Sequence, residues 1–366
     1  MRFILLIIFY FVYHLTDAQV IYSNEFLNIG VGARAQAMSG AVTASVKDIS
    51  AAFWNPAGLS QINANLQLGV MHSDWFGGIG KYDHIGISKA LNKSKNAVAA
   101  VSMIRLAIDQ IPNTLNLVAP DGSIRFDNIS EFSAADYGFL LSYASGIGKV
   151  TEEKSFRLGA NAKIIHRLIG PFAKAWGFGA DIGLQYIRPS YSIGATLYDL
   201  TTTFTGWTYS FTPEQKITLE KTGNIIPVST LEKTSPHIST GFLYNAFKIK
   251  SITILPEIGF NAFFDGKRNT ILSSKFIIVD PKLGLEISYK NLVCLRMGYG
   301  NIQKTKDEIN LSQYNTHGQL NAGLGIKIGK IHIDYALTNL GNLTKEINYS
   351  HVFSATMDFV VENKER

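Results

Sequence analysis

The sequence predicts an all-β protein, a transmembrane antiparallel β-barrel of about fourteen strands with an N-terminal segment folded into its lumen. Three observations lead to this prediction. Apolar and polar residues alternate strictly in many segments, the connections between those segments alternate between short and long, and the chain starts with a secretory signal. Period-two alternation is typical of strands, and short turns paired with long loops are typical of bacterial outer-membrane barrels.

Residues 1–18 have the three parts of a signal peptide. Basic Arg2 precedes an apolar run over residues 3–13, and the small residue Ala18 precedes Gln19. An uncleaved membrane anchor is the alternative, but a helix needs roughly 20 apolar residues to span a bilayer. We therefore expect cleavage before Gln19, then a plug over residues 19–60, the barrel over residues 61–361 and a periplasmic tail over residues 362–366.

The alternation is clearest in three segments. In residues 176–186, 320–328 and 331–337, every second residue is apolar and those between are mostly small or polar. Neighbouring side chains of a strand point to opposite faces of the sheet, so this pattern fits one face in lipid and one in a crowded polar lumen. A soluble sandwich also alternates, but it seldom places Gly, Asn and Ser so often on the polar face.

Segmenting the chain by this pattern gives fourteen candidate strands, an even number, as in bacterial single-chain barrels. Most of them have the roughly 9 to 11 residues that a tilted membrane strand needs. They lie near residues 63–75, 80–91, 96–107, 132–145, 155–168, 174–188, 190–200, 236–247, 252–264, 281–290, 292–301, 316–328, 330–337 and 349–361.

The connections between these strands differ in length on the two sides. On one side they are short, at residues 92–95, 189, 290–291 and 329–330. On the other side they are mostly long, at residues 108–131, 201–235, 265–280, 301–315 and 338–348, with only the first, near 77–80, short. Because outer-membrane barrels keep short turns in the periplasm, we expect both termini to be periplasmic and the long loops extracellular.

The composition supports an exported barrel. Cys294 is the single cysteine and lies far from the signal, so neither a disulfide framework nor lipid attachment is expected. Charged residues make up only 17% and the mean hydropathy is slightly positive, at +0.09, both unusual for a soluble protein of this size. The net charge of +6 comes from scattered lysines, which favours anionic lipopolysaccharide or an acidic partner over nucleic acid.

Catalytic and cofactor motifs are missing from the sequence. There is no Gly-x-Ser-x-Gly, and no two histidines have metal-ligand spacing. Gly30-Val31-Gly32 lacks the third glycine and the lysine of a phosphate-binding loop. We therefore expect no enzyme activity, no cofactor and no metal site.

Residues 23–60 do not alternate, and they contain a recognisable motif. Gly30-Val31-Gly32-Ala33-Arg34 is followed by Met38-Ser39-Gly40-Ala41 and by residues 48–59, which end in Asn55-Pro56-Ala57-Gly58-Leu59. This run of about 35 residues resembles the N-terminal signature of the PorV/PorQ family, barrels of the Bacteroidota related to FadL-type hydrocarbon transporters. Asn55 to Leu59 is similar to the hatch motif that both share.

The resemblance has consequences for fold and function. It implies a FadL-like barrel whose plug is a hatch. It also implies a non-enzymatic accessory subunit of a type IX secretion or surface-assembly system that binds a large translocon or its cargo. Because Gly30-Val31-Gly32 precedes Ala33-Arg34 and Gly58 follows Ala57, the chain resembles a generic member rather than PorV itself. The alternatives are a FadL-type channel for hydrophobic small molecules and a scaffold subunit of an outer-membrane assembly complex.

The plug residues have structural roles that can be predicted. The glycines permit close packing or positive φ, Asp48 can cap a short helix, and Asn55-Pro56 would end that helix. Arg34 needs a partner if it is buried. The candidate carboxylates on lumen-facing positions are Asp181, Glu286 and Asp334.

Two groups of apolar residues lie within the predicted long external loops. Trp207, Tyr209 and Phe211 follow a strand with a period of two, which predicts either a partner-binding aromatic face or part of the outer aromatic girdle. The other group is Ile111, Leu115 and Leu117, which predict either a partner contact or a self-packed loop. Residues 97–101 are apolar on both faces, so one face should contact the plug or line an apolar pocket.

Overall fold

The computed structural model describes residues 23–75, 77–92, 96–119, 121–148, 151, 154–245, 247–266, 268–274, 276–307, 310, 313–339 and 349–360. The predicted signal peptide (1–18), the predicted tail (362–366) and most of the predicted last long loop lie outside these residues.

Over the described residues, fourteen antiparallel strands form one closed sheet, because the last strand pairs with the first. This confirms the predicted fold class and strand number. The strands are β1 Leu66–Trp75, β2 Gly80–Asn92, β3 Ala97–Asn113, β4 Ser130–Ile147, β5 Ser155–Ile169, β6 Ala173–Ile187, β7 Tyr191–Tyr198 with Thr203–Tyr209, β8 Leu231–Thr234 with His237–Tyr244 and Phe247–Ile249, β9 Ile252–Phe263, β10 Ile278–Tyr289, β11 Val293–Lys306, β12 Tyr314–Ile328, β13 Ile331–Asn339 and β14 Tyr349–Phe359. A two-residue strand, Leu272–Ser273, pairs with the start of β10.

The two ends of the barrel differ in their connections. One end is called here the long-loop end. Its loop over residues 210–230 contains helix Pro213–Lys221, and β3 and β4 extend there as a hairpin to Asn113 and Ser130. The connection at residues 170–172 is also short on this side, so the expectation of only one short connection there was wrong. Gly170 has φ 47°, which allows this tight turn. The opposite end is called the short-turn end.

Aromatic rows mark two levels on the outer surface. Tyr137, His166 and Trp176 are paired across three strands, and the rings of His166 and Trp176 stack at 4.0 Å. Nearer the short turns, Tyr186 and Tyr191 belong to a second row. Ten residues separate Trp176 from Tyr186, which at about 3.3 Å per residue and a tilt near 40° is roughly 25 Å, the height of the apolar band of a membrane barrel.

The described part of the plug lies inside the barrel. It contains helices α1 Ala33–Ala37 and α2 Ala51–Trp54, and two 3-10 helices, Glu25–Ile29 and Pro56–Gln61. As expected for a run that is apolar on both faces, Val98 and Ala100 of β3 pack against the plug core. None of the helices among the described residues is long and apolar enough to cross a membrane.

Glycines on the inner face of the wall make room for the plug backbone. An added Cβ at Gly159 would collide with the main chain of Pro56, and one at Gly194 with the carbonyl of Thr43. A Cβ at Gly298 would likewise collide with Met38. The small residues on the polar face of the strands therefore reflect close packing against the plug.

Candidate functional site

Two motif glycines of the plug lie directly against the Trp54 ring. Gly30 and Gly40 have φ values of 85° and 72°. A Cβ at Gly40 would lie 2.9 Å from Cη2 of Trp54, and one at Gly30 would be closer still to Cζ2. Both positions therefore need glycine for backbone conformation and for space.

Hydrogen bonds hold Trp54 between the plug and the wall. Its Nε1 donates to the carbonyl of Val31 at 2.7 Å. Its own carbonyl accepts from the Tyr198 hydroxyl at 2.7 Å and from the Thr196 hydroxyl at 3.1 Å. The ring of Phe53 meets it edge-on, with centroids 4.9 Å apart. The indole is therefore held in one orientation.

The predicted motif residues Asn55 to Gly58 attach the plug to β6. Asn55 is fully buried, and its Nδ2 donates to the carbonyls of Thr43 at 2.9 Å and Leu184 at 3.0 Å. Pro56 begins a 3-10 helix directly after α2, which ends where the sequence predicted. Gly58 and Ala57 are both buried, and a Cβ at Gly58 would collide with the Val46 carbonyl.

Two other motif residues, Gly32 and Ala33, lie at the start of α1. Gly32 has φ 85°, and the Ala33 N–H donates to the Ser354 hydroxyl at 3.1 Å. Asp48 does not cap α2 directly. Its carboxylate accepts the N–H of Ser50, the residue that precedes the helix, at 2.9 Å.

Arg34 has its predicted partner in Glu286. Its Nε lies 2.9 Å from Oε2 of Glu286, and Arg296 Nε lies 2.6 Å from the same oxygen. Arg296 also contacts Asp334 at 2.6 Å, so Asp334 joins the cluster indirectly. Although burial opposes the charge, the carboxylates of Glu286 and Asp48 raise the pKa of Arg34 above its ordinary value. The guanidinium therefore stays charged.

A small cavity lies between the plug and the wall, toward the long-loop end. Its volume is about 90 Å³. Its lining includes Phe53 and Trp54 of the plug and a column of stacked rings on the wall. In this column His237 lies 4.6 Å from Tyr198 and 5.0 Å from Phe263, centroid to centroid. A flat apolar group fits between such walls.

The cavity continues into an open vestibule on the same side. The vestibule has a volume of about 700 Å³ and shares Trp54, Phe263 and Lys282 with the cavity. A separate vestibule of about 380 Å³, lined by Arg34 and Lys327 among others, lies on the short-turn side of the plug. The plug thus separates two polar vestibules.

A buried ion-pair cluster forms part of the cavity wall. Lys163 Nζ lies 2.9 Å from Asp181 and 2.7 Å from Asp199, and all three side chains are almost fully buried. Asp181, one of the predicted partners of Arg34, is therefore used by Lys163. Sequence reasoning missed Lys163, because its partners are on neighbouring strands and are distant in sequence.

An irregularity in β7 positions this cluster. Asp199 and Thr202 have φ values of 53° and 59°, and the strand is interrupted between them. Asp199 points into the lumen, whereas Leu200 is exposed on the outer face. The bulge thus supplies one of the two carboxylates around Lys163.

Trp207 does not lie where a partner-binding loop residue would. It belongs to β7, faces the lumen and is only 6% exposed, packed on Ala173 and Ala175 with the Arg167 guanidinium 5.0 Å from its ring. It is therefore neither a free anchor nor part of the outer girdle. Tyr209 and Phe211 continue the same stack.

The predicted residues of the β3–β4 hairpin are partly covered. Ile111, Leu115 and Leu117 are half-buried. The most exposed apolar side chains of this hairpin are others, which the sequence did not indicate: Val118, Ile124 and Phe126, at 60%, 63% and 72% exposure. No cluster of three or more potential metal ligands occurs in the part of the chain that the structure describes.

Comparison with known proteins identifies the fold. No protein-family model and no curated protein matches the chain. Among solved structures, it is similar to CymD, a monoaromatic hydrocarbon channel, with 14% identity and a TM-score of 0.51 over 92% of this chain and 99% of that one. The chain has a FadL-type barrel fold.

Two further structures agree with this. The Pseudomonas putida toluene transporter TodX has 11% identity and a TM-score of 0.53 over 90% of this chain and 98% of its own. A Pseudomonas aeruginosa FadL homologue has 11% identity and a TM-score of 0.52 over the same shares. At such identities the likeness establishes the FadL-type fold alone, and membership in the PorV/PorQ family stays a prediction.

Proposed function

We propose that the protein is a non-enzymatic outer-membrane channel that takes up small, largely apolar molecules. The observation that carries this proposal is the cavity between Trp54 and the ring column, which continues into the vestibule at the long-loop end. CymD and TodX, which share the fold, are named for monoaromatic hydrocarbons and toluene. A ring-lined cavity in this chain supports the same kind of cargo.

The size of the cavity limits the cargo. An engineered apolar cavity of about 150 Å³ binds benzene. The cavity here, about 90 Å³, is smaller and opens on one side. It therefore suits a single ring that extends partly toward the vestibule, and it is too small to enclose a long hydrocarbon chain.

We propose that the long loops face the outside of the cell and that cargo enters from the long-loop end. The exposed apolar residues of the β3–β4 hairpin, such as Phe126, would collect it there. The plug closes the direct route to the other vestibule, so passage requires a movement of the plug or of the wall beside it.

The secretion and scaffold roles stay predictions. None of the similar structures named above is a secretion subunit, and burial of Trp207 removes one of the proposed partner contacts. For those roles, the external loops are the surface to test. The partners to test are lipopolysaccharide and a larger translocon or its cargo.

The proposal can be tested with a pair of variants in lipid nanodiscs. Asn261→Phe would fill the lining of the cavity, whereas Asn63→Phe puts the same ring into the opposite vestibule. We expect binding of small ring compounds, measured by saturation-transfer NMR, to be lost in Asn261→Phe and retained in Asn63→Phe. Absence of binding to the unmodified protein, together with stoichiometric recovery of a translocon barrel from a native extract, would refute the channel proposal.

A further inference from the structure

The connections at the short-turn end carry an excess of positive charge. Between the described strands they lie at residues 93–96, 148–154, 188–190, 250–251, 290–292 and 329–330. Every one of them contains lysine or arginine, eight in all, whereas the only carboxylates in them are those of Glu152 and Glu153, outside the described residues. The described cations, with Lys248 beside the fourth connection, are called here the basic belt: Lys154, Arg188, Lys248, Lys250, Lys290 and Lys330.

The charge of the basic belt is not neutralised locally. All six side chains are exposed, and none forms an ion pair with a carboxylate of the described residues. Asp334 and Asp358, the acidic residues of β13 and β14 near this end, line the vestibule inside the barrel. There Asp334 contacts Arg296 at 2.6 Å, and Asp358 accepts a hydrogen bond from Gln67 at 2.6 Å. The belt therefore presents its positive charge to the surroundings of the barrel.

The geometry of the turns does not account for the lysines. Lys250 and Lys290 have φ values of 53° and 50°. In this left-handed region, short hairpin turns favour Gly, Asn or Asp, and a residue with a long side chain is uncommon. The lysines at these two positions are therefore explained by their charge better than by the reversal of the chain.

The basic belt lies directly beside the aromatic row nearer the short turns. Arg188 Nε donates to the hydroxyl of Tyr186 at 2.7 Å, and Lys290 Nζ lies 5.4 Å from the centroid of the Tyr289 ring. Tyrosine rings at the edge of the apolar band lie among the lipid headgroups. The cations next to these rings are therefore at the level of the lipid phosphates.

The distribution of the cations indicates what surrounds them. Successive connections are two strands apart, so the belt follows the barrel wall from β2 round to β13. A lipid leaflet surrounds a barrel on all sides, whereas a protein partner covers one side. Lysine and arginine clusters beside a membrane attract anionic lipids.

We infer that the basic belt binds the phosphate groups of anionic glycerophospholipids in the leaflet around the short-turn end. In the orientation proposed above, this is the periplasmic leaflet. Ammonium and guanidinium groups form charge-assisted hydrogen bonds with phosphate oxygens. Because five of the six cations are lysines, which act as flexible point charges, the belt selects the charge of the headgroup and not its shape. This inference goes beyond the channel function, since it requires no cargo.

The test compares spin-labelled phosphatidylglycerol with spin-labelled phosphatidylcholine around the full protein in phosphatidylcholine bilayers. Electron paramagnetic resonance separates lipids in contact with the barrel from free lipids and gives their relative association constants. We expect phosphatidylglycerol to associate about threefold more strongly at low salt. The preference should disappear at about 1 M sodium chloride, where the Debye length is about 3 Å.

Two variants of equal charge locate the effect. The belt variant has Gln at all six positions of the basic belt. The control variant has Gln in place of six exposed cations at the long-loop end, again five lysines and one arginine: Arg125, Lys216, Lys221, Lys233, Lys304 and Lys306. The preference for phosphatidylglycerol should be lost in the belt variant and kept in the control variant.

A smaller change guards against misfolding of the belt variant. Lys248→Gln with Lys250→Gln alters two exposed side chains of one turn and should lower the preference in part. Far-UV circular dichroism and heat-modifiable electrophoretic mobility report whether each variant is folded.

Lipopolysaccharide is the other source of lipid phosphate, and its binding decides between the two leaflets. If the belt variant loses binding of labelled lipopolysaccharide and keeps the preference for phosphatidylglycerol, the basic belt lies in the outer leaflet and the inference is wrong. If the unmodified protein shows no preference for phosphatidylglycerol, or if both six-residue variants lose it equally, the belt does not recognise phospholipid. Neither result affects the channel proposal, which is tested by binding of ring compounds.

Discussion

The amide of Asn55 in the plug donates a hydrogen bond to the main-chain carbonyl of Leu184 in β6, at 3.0 Å. The same amide donates to Thr43 within the plug, so one buried side chain joins two turns of the plug to the wall. The neighbouring wall residue, Gly183, has no side chain and leaves space for Asn55 and Pro56. This contact explains why the motif has an asparagine before its proline.

Replacing Asn55 by Ala should loosen the plug. The substitution removes two hydrogen bonds that Asn55 donates, and the Thr43 carbonyl keeps a second donor in Gln185 at 3.2 Å. The expected cost is therefore about 0.5–1.5 kcal/mol for each lost hydrogen bond. We expect more frequent open events in planar-bilayer conductance recordings, because the plug blocks the lumen. Asn63→Ala, at an exposed position between the plug and β1, should behave like the unmodified protein. Equal conductance of the two variants would show that Asn55 does not hold the plug closed.

Replacing Gly30 by Ala should destabilise the protein through its contact with Trp54. Gly122 offers a matched control, because its φ of 83° is close to the 85° of Gly30 and an added Cβ there meets nothing within 4 Å. Both variants place a side chain on a residue with positive φ, which costs about 1–3 kcal/mol. Only Gly30→Ala adds overpacking, typically about 1–3 kcal/mol.

The measurement for this pair is the midpoint of urea unfolding, followed by tryptophan fluorescence and circular dichroism. The larger shift should belong to Gly30→Ala. Equal shifts would mean that Trp54 moves aside without cost and that the glycine is needed only for its backbone conformation.

Replacing Glu286 by Gln should be costly, because Oε2 of Glu286 serves both Arg34 and Arg296. Without it, two largely buried guanidinium groups face each other, and loss of one partner of a buried pair costs about 3–5 kcal/mol. Glu232→Gln is the control, since that carboxylate is partly exposed and lies 3.7 Å from Arg167. Such a pair contributes about 0–1 kcal/mol. Urea unfolding in detergent should show the larger loss of stability for Glu286→Gln. The reverse order would mean that the contact of Glu286 with Arg34 and Arg296 contributes little to stability.

Strand positions could be predicted because lipid and lumen impose opposite demands on alternate residues. Leu283, Leu285 and Ile287 face outward, whereas Lys282, Gly284 and Glu286 face inward, as the alternation indicated. Arg34 and Glu286 could be proposed as partners for the same reason. The sequence could not show which of the three carboxylates pairs with Arg34, because this depends on where α1 lies against the wall.

The orientation of Trp207 shows why one part of the site was beyond prediction. Before the bulge in β7, even-numbered residues such as Gly194 and Thr196 face the lumen; after it, odd-numbered residues such as Thr203 and Thr205 do. An irregularity with an odd number of extra residues reverses the faces of a strand. The sequence around residues 199–202 does not reveal that the number of extra residues is odd. Trp207 was therefore expected to face outward, whereas it faces the lumen.

The β3–β4 hairpin should increase the rate of uptake without changing affinity at the cavity. Ile124 and Phe126 are 63% and 72% exposed, and exposed apolar side chains in a cluster often mark a contact surface. The double substitution Ile124→Ser and Phe126→Ser should lower uptake of a labelled ring compound into proteoliposomes several-fold at low concentration. Because the hairpin tip contributes no residue to the cavity lining, equilibrium binding in nanodiscs should stay the same.

Ile225, which is 92% exposed in a different loop, provides the control for this prediction. Ile225→Ser removes a similar apolar surface at the same end of the barrel. If it slows uptake as much as the hairpin variant does, general adsorption to the loops accounts for the effect, and the β3–β4 hairpin has no special role. If only the hairpin variant is slow, apolar cargo reaches the vestibule by way of Ile124 and Phe126, since loss of these side chains changes the rate of entry and leaves the cavity intact.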